Sequence, residues 1–111
     1  MNSPGVFWTP APVRMKTSTK PTTFSSSAFT TDHNTYLDGA LPAKYKELMG
    51  VVASASLRCD DCIYYHAIQS YRLGATRAEQ EEAINVALVV GGSIVIPHMR
   101  RAYELLTELY S

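Results

Sequence analysis

From Thr31 to the C-terminus, apolar side chains recur at intervals of three and four, and the longest β-branched run is Ile94-Val95-Ile96. That period predicts helices and no sheet, so the expected class is all-α, a compact domain of about five helices. Phe29 and Tyr36 lie two turns apart in a first short helix that should stop near Gly39, a residue free to take the left-handed conformation. Leu41 and Pro42 open a second helix, where proline's missing N–H costs nothing. Its expected inner face is Leu41, Tyr45, Leu48, Met49, Val52 and Ala55, with Lys44 and Lys46 on the other side.

A third helix is predicted from Asp60 or Asp61, whose carboxylates suit a helix N-terminus, to Leu73 before Gly74. Thr76 and Glu79 have the spacing of a capping box and start a fourth helix that runs through Ala83, Ile84, Ala87 and Leu88 to Gly91-Gly92. A fifth begins at Ser93 or Ile96, with Pro97 in its first turn, and reaches Tyr110. It should bury Met99, Ala102, Leu105, Leu106 and Leu109 and leave Arg100, Arg101, Glu104 and Glu108 in water. The segment from Val86 to Val90 is apolar on nearly every side, more than a core of roughly 80 residues can cover. A homo-oligomer packed through the fourth and fifth helices is therefore expected.

The N-terminal segment differs in kind. Residues 1–31 hold twelve Ser or Thr and four of the six prolines, together with Arg14, Lys16 and Lys20 and no acid. The expected division is a flexible basic extension over residues 1–25 and a helical domain over 26–111. The extension has the composition of an organellar transit peptide, and equally that of a plain extension or of a start placed upstream of Met15. It lacks the apolar stretch of a secretory signal. The expected location is cytoplasmic, or organellar if the segment is a transit peptide.

Over all 111 residues ten basic side chains balance ten acidic ones, 46% of residues are hydrophobic and 18% are charged. A neutral chain of this kind has no field for binding nucleic acid, and no apolar run reaches the ~18 residues of a membrane span. Neither nucleic acid nor membrane is expected as a partner.

The candidate chemistry is concentrated in Cys59-Asp60-Asp61-Cys62, followed by His66. Two cysteines placed at random would fall three apart only about once in fifty, and redox and metal sites both use this spacing. A helix starting at Asp60 puts Cys62 in its first turn, where free N–H groups and the helix dipole stabilise a thiolate. Cys62 and His66 are one turn apart on one face, so the imidazole can take the thiol proton. Cys59 precedes the helix and can reach back over its first turn to close a disulfide with Cys62. Asp60 and Asp61 would oppose thiolate formation if they point toward sulfur, and spacing does not say where they point.

Against these readings stand two buried cysteines with a core histidine, and a metal site completed by His98. A structural zinc site brings its ligands as two close pairs, whereas His98 stands alone; His98 and His33 read as ordinary, partly exposed histidines. Neither metal nor cofactor is expected. Glu47, beside Leu48 and three residues after Lys44, reads by itself as a solvated surface acid. Tyr64, Tyr65 and Tyr71 read as core or interface aromatics.

The stretch Lys46-Glu47-Leu48, then Cys59-Asp60-Asp61-Cys62, His66, Leu73-Gly74-Ala75-Thr76 and Gly91-Gly92 resembles the carboxymuconolactone decarboxylase family in its AhpD-like alkylhydroperoxidase branch, over roughly Gly39 to Tyr110. The resemblance implies an all-helical fold, trimers or hexamers, and a thiol-disulfide site. In that site Glu47 matches the relay carboxylate, Cys59 and Cys62 the redox pair, and His66 the histidine. The original AhpD site has a histidine immediately before its second cysteine, where this chain has Asp61.

The expected function is thus a thiol-dependent oxidoreductase, either an alkylhydroperoxidase-like peroxidase or a disulfide reductase. Its substrate would be a hydroperoxide or a disulfide. The AhpD system further implies a lipoyl-bearing or thioredoxin-like donor and a peroxiredoxin partner. The competing functions are a redox-sensing helical oligomer that does not turn over, and a decarboxylase-like enzyme.

Overall fold

The computed structural model describes residues 26–111, and the extension expected over residues 1–25 lies outside the described residues. Five α-helices occur in the order α1 Ser26–Thr35, α2 Ala43–Ser56, α3 Asp60–Arg72, α4 Arg77–Gly91 and α5 Ile96–Leu109, with a single 3₁₀ turn at Ser93–Val95. Among the described residues there is no strand, and no helix is long and apolar enough to cross a membrane. Helix α2 lies against both α3 and α4, and α5 closes over α3 and α4.

The core they enclose is built from Val51, Ala55, Ile63, Ala67, Ile84, Ala87, Val95, Ala102 and Leu106. The alanines at the facing positions let the helix axes approach closely, while Ile63, Ile84 and Leu106 fill the space between them.

Local chemistry sets each boundary. Thr76 and Glu79 form both halves of the expected capping box. Helix α3 ends on Gly74 at φ 90°, where the Gly74 and Ala75 N–H groups donate to the carbonyls of Tyr71 and Ser70. This left-handed cap satisfies carbonyls that the helix leaves unpaired. Gly92, at φ 81°, follows α4, and Pro97 sits in the first turn of α5, where it gives up no helical hydrogen bond.

Two expectations are corrected. Helix α1 stops at Thr35 and not near Gly39, and Gly39 is not left-handed. Residues between the helices serve α2 instead. Pro42 at its N-cap has no side-chain acceptor, so Asp38 Oδ1 accepts from the Ala43 N–H at 2.6 Å, and Lys46 Nζ donates to the Leu37 carbonyl at 2.8 Å.

Helix α2 is also rotated relative to its apolar stripe. Its buried residues are Glu47, Leu48, Gly50, Val51, Ser54 and Ala55, whereas Leu41, Tyr45 and Met49 are exposed. Apolar periodicity counts greasy side chains, but this inner face combines Leu48 and Val51 with small residues and one acid that finds a partner on α3.

A polar thread ties the far side of the domain. The fully buried Gln80 amide donates from Nε2 to the Ala67 carbonyl of α3 at 2.9 Å and to the Tyr110 hydroxyl at 3.0 Å, and that hydroxyl donates to the Ala75 carbonyl at 2.5 Å. Truncation would remove two hydrogen bonds and leave a cavity. Gln80→Ala should therefore lower the unfolding free energy by about 2–3 kcal/mol in urea denaturation followed by circular dichroism. A loss below about 0.5 kcal/mol would mean that this thread does not hold α3, α4 and the C-terminus together.

Candidate functional site

The turn between α2 and α3 is made by three residues, and Cys59 belongs to both helices. After Leu57, Arg58 takes φ 63°, the left-handed position that glycine ordinarily occupies. The Arg58 N–H donates to the Ala55 carbonyl at 3.1 Å and the Cys59 N–H to the Ser54 carbonyl at 3.0 Å, which closes α2. Cys59 is at the same time the N-cap of α3, its sulfur accepting from the Cys62 N–H at 3.3 Å. Holding a non-glycine residue left-handed costs about 1–2 kcal/mol, and that cost falls on the residue that aims Cys59.

Cys59 and Cys62 are joined as a disulfide, with Cα atoms 5.3 Å apart. Cys62 is exposed and Cys59 half-buried, so the pair sits at the surface on the first turn of α3.

One turn further along α3, His66 leans on α2. Its Nδ1 is 2.7 Å from Glu47 Oε2, and Glu47 is only 5% exposed. With Glu47 ionised, Nδ1–H is the donor, and the ring is left with a lone pair on Nε2. A charge-assisted hydrogen bond of this kind is worth about 1.5–3 kcal/mol, and it compensates a carboxylate that burial would otherwise penalise.

Gly50 makes room for the contact. A Cβ placed there would stand 2.7 Å from His66 Cγ and Nδ1, inside contact distance. Tyr36 and Tyr65 flank the imidazole with ring centroids 5.3 and 5.2 Å away, the second edge-on. Burial and then the negative charge of Glu47 push the Tyr36 phenol above its ordinary value, so it remains a neutral hydroxyl at neutral pH. An open cleft of about 550 Å³ adjoins this cluster, lined by Tyr36, Glu47, Tyr65, Gln69 and Arg72 among others.

The four sequence-predicted residues thus lie along one seam. Glu47 and His66 touch, Cys59 and Cys62 are bonded, and His66 follows Cys62 by one helical turn. Glu47 is not the solvated acid that its flanking lysine suggested; Lys44 pairs with Glu79 of α4 at 3.2 Å instead.

The open question of Asp60 and Asp61 is also answered. Asp60 turns to α5, where Oδ1 meets His98 Nδ1 at 2.7 Å and Oδ2 accepts from Arg101 at 2.9 Å, while Asp61 is exposed. The hydrogen bond to His98, followed by the Arg101 charge, holds the Asp60 carboxyl below the usual carboxylate range. His98 is therefore not a free histidine, and among the described residues no group of three or more His, Cys, Asp or Glu is gathered to hold a metal.

Sequence reasoning missed Gly50, Tyr36 and Tyr65 as neighbours of the site. Only Gly50 left a signal, a glycine inside a helical pattern where alanine would be favoured by up to ~1 kcal/mol. Gly50→Ala should therefore push the His66 ring off Glu47 while leaving the helices in place. Nitrogen-detected NMR of the imidazole checks this: the variant should lose the Nδ1–H signal of a hydrogen-bonded ring, with a melting temperature within a few degrees of the parent. An unchanged ring signal would show that the close approach is not required.

Comparison with known proteins agrees with this architecture. Residues 26–105 match the model of the carboxymuconolactone decarboxylase family. A crystal structure of a carboxymuconolactone decarboxylase family protein from Thermotoga maritima, for which a role in the antioxidative response has been suggested, superimposes with a TM-score of 0.72 at 55% identity over 75% of this chain and 86% of that one. A family member from Legionella pneumophila, in its apo form, gives a TM-score of 0.69 at 29% identity over 77% of each chain.

Among curated proteins, an uncharacterized protein of Cupriavidus necator is 40% identical over 55 residues, half of this chain and 49% of that protein. The uncharacterized protein 4 of the cox locus of Paracoccus denitrificans is 32% identical over 74 residues, 67% of each. The matches thus span about half and two thirds of these relatives' lengths. With the family model covering most of the chain and solved members sharing its helices, this chain belongs to the carboxymuconolactone decarboxylase family.

Proposed function

We propose that this chain is a thiol-dependent oxidoreductase of the AhpD-like branch, in which Cys59 and Cys62 cycle between dithiol and disulfide. The observation that carries the reading is the buried Glu47–His66 hydrogen bond one turn from a surface C-x-x-C disulfide. Glu47 holds the imidazole with its lone pair on Nε2, and that nitrogen takes the Cys62 thiol proton. The Cys62 thiolate attacks a hydroperoxide, forming an S–O bond as the O–O bond breaks. The departing alkoxide takes a proton and leaves as alcohol.

Cys59 then attacks the sulfenic sulfur, the disulfide forms and water departs. An external dithiol, of the lipoyl or thioredoxin-like class, returns the two electrons. With a disulfide substrate in place of peroxide, the same thiolate attacks sulfur and the same resolution follows. The suggested antioxidative role of the Thermotoga maritima relative is consistent with this chemistry.

Steady-state consumption of a hydroperoxide with dithiothreitol as donor tests the reading. The parent should turn over, and Cys59→Ser and Cys62→Ser should not. His66→Ala should slow the catalysed step on the order of 10²-fold, the usual scale of general base catalysis. Glu47→Gln should slow it less, with an effect that shrinks at high pH, where the thiol ionises unaided. A parent that oxidises once and stops would be a redox sensor, and a Glu47→Gln variant that matches the parent at every pH would remove the relay.

The working form is proposed to be a homo-oligomer, a trimer or hexamer, because Val89 and Val90 are 85% and 72% exposed and Val86, Tyr45, Met49 and Ile94 are also open to solvent. Beyond Ile96 and Pro97 in its first turn, the outward residues of α5 are polar, chiefly Arg100, Arg101, Glu104 and Glu108. The favoured interface is therefore α4 with α2, in place of the α4 and α5 pair expected from the sequence. Light scattering should give a multiple of the 12.3 kDa chain, and Val89→Asp with Val90→Asp should reduce it to one. A stable parent monomer at micromolar concentration would sink this assembly.

A further inference from the structure

Asp60 sits between the two cysteines, at the end of a helix where a thiolate has to be stabilised, and a carboxylate there works against it. Its charge lies one residue from Cys59 and two from Cys62, and a like charge beside a thiol disfavours the thiolate if nothing offsets it. The first turn of α3 carries a second acid, the exposed Asp61. Left alone, two carboxylates would cancel much of what the helix dipole provides.

The structure binds one of them to a permanent cation. Arg101 donates from its guanidinium to Asp60 Oδ2 at 2.9 Å, and His98 contacts Oδ1 at 2.7 Å, both from α5 and 38 or more residues away in sequence. No part of the proposed Glu47–His66 relay uses these groups, which lie on α5 whereas Glu47 lies on α2. We propose that Arg101, acting through Asp60, is a positioning residue for the redox pair: it neutralises the carboxylate inside the C-x-x-C turn and keeps the thiol acidic enough to react near neutral pH. His98 holds the second oxygen, so that the carboxylate faces α5 and cannot turn freely toward sulfur.

Around Asp60, from α5 come His98 and Arg101, with exposed Glu104 one turn beyond; from the turn after α2 comes exposed Arg58; and on α3 itself lie Asp61 and, one turn on, the phenol of Tyr64, which lines a shallow cleft with Arg101 and Glu104. Of these only His98 and Arg101 contact Asp60. The inference rests on the reading of Cys59 and Cys62 as a redox pair, but it is tested without any turnover assay.

The test is the pH profile of iodoacetamide alkylation of the fully reduced chain, read by mass spectrometry for the parent, Arg101→Met, Arg101→Lys, Asp60→Asn and the Asp60→Asn/Arg101→Met double variant. Arg101→Met should move the apparent thiol pKa upward by about one unit and slow alkylation at pH 7 about tenfold. Arg101→Lys, which keeps the charge, should restore most of the rate.

Asp60→Asn should react at least as fast as the parent, and in that background Arg101→Met should slow alkylation much less than it does in the parent, by no more than the guanidinium's own charge contributes. Slowing by Arg101→Met that is as large without the Asp60 carboxylate as with it would mean that Arg101 does not act through Asp60 and would overturn the proposal. An unchanged Arg101→Met profile, or an Asp60→Asn variant slower than the parent, would also overturn it. If Arg101→Met does not fold, the Arg101→Lys and Asp60→Asn profiles decide. A chain that shows these shifts yet turns over no hydroperoxide would lose the peroxidase reading and keep this one.

Discussion

The fold is organised around one carboxylate that cannot be left alone. Glu47 is almost wholly buried, and a buried acid without a partner would cost several kcal/mol, so the structure must bring a donor to it. His66 on α3 is that donor. The helices can come close enough only because α2 carries Gly50 opposite the imidazole, which gives up some helix propensity for space. The rotation of α2, the approach of α3 and the orientation of the ring are three consequences of this single contact. They also explain why a face that carries Glu47 and Gly50 beside Leu48 and Val51 turns inward, and Tyr45 and Met49 turn to the outside.

The same economy governs the corner between α2 and α3. Cys59 closes one helix through its backbone N–H and opens the next through its sulfur, so the position of the disulfide is set by the ends of two helices at once. A three-residue link leaves little slack, and the left-handed Arg58 takes the conformational cost. The sulfurs, the imidazole and the carboxylate are thereby carried on adjoining stretches of two packed helices, which hold a site more accurately than loops do. From the other side, α5 grips the first turn of α3 through Asp60. The C-x-x-C turn is thus held from two sides, by α2 through its junction with Cys59 and by α5 through Asp60.

The outer surface follows from the same rotation. Once Leu48, Val51 and Ala55 fill the core side of α2, the chain has apolar residues left over on α2 and α4, and its single domain has no further interior to put them in. The proposed assembly of copies would cover these residues and leave the charged residues of α5 in water.

Much of this was legible in the sequence. The all-α class, the capping box at Thr76 and Glu79, the stop at Gly74, the break at Gly91-Gly92 and the C-x-x-C-x-x-x-H segment on one helix all depend on residues within a turn or two of one another, and local chemistry decides them. Glu47 was marked only through resemblance, because no local rule distinguishes an acid that will be buried from one that will stay wet. The early end of α1, the true inner face of α2, the service of Gly50 to His66, and the capture of Asp60 by His98 and Arg101 were decided by tertiary structure. Each depends on groups brought together from distant parts of the chain. The sequence by itself determined which helices form and which side chains can do chemistry. Packing alone decided which face turns inward and which charges are cancelled, since burial and Coulomb energy depend on distances in space that the order of residues does not specify.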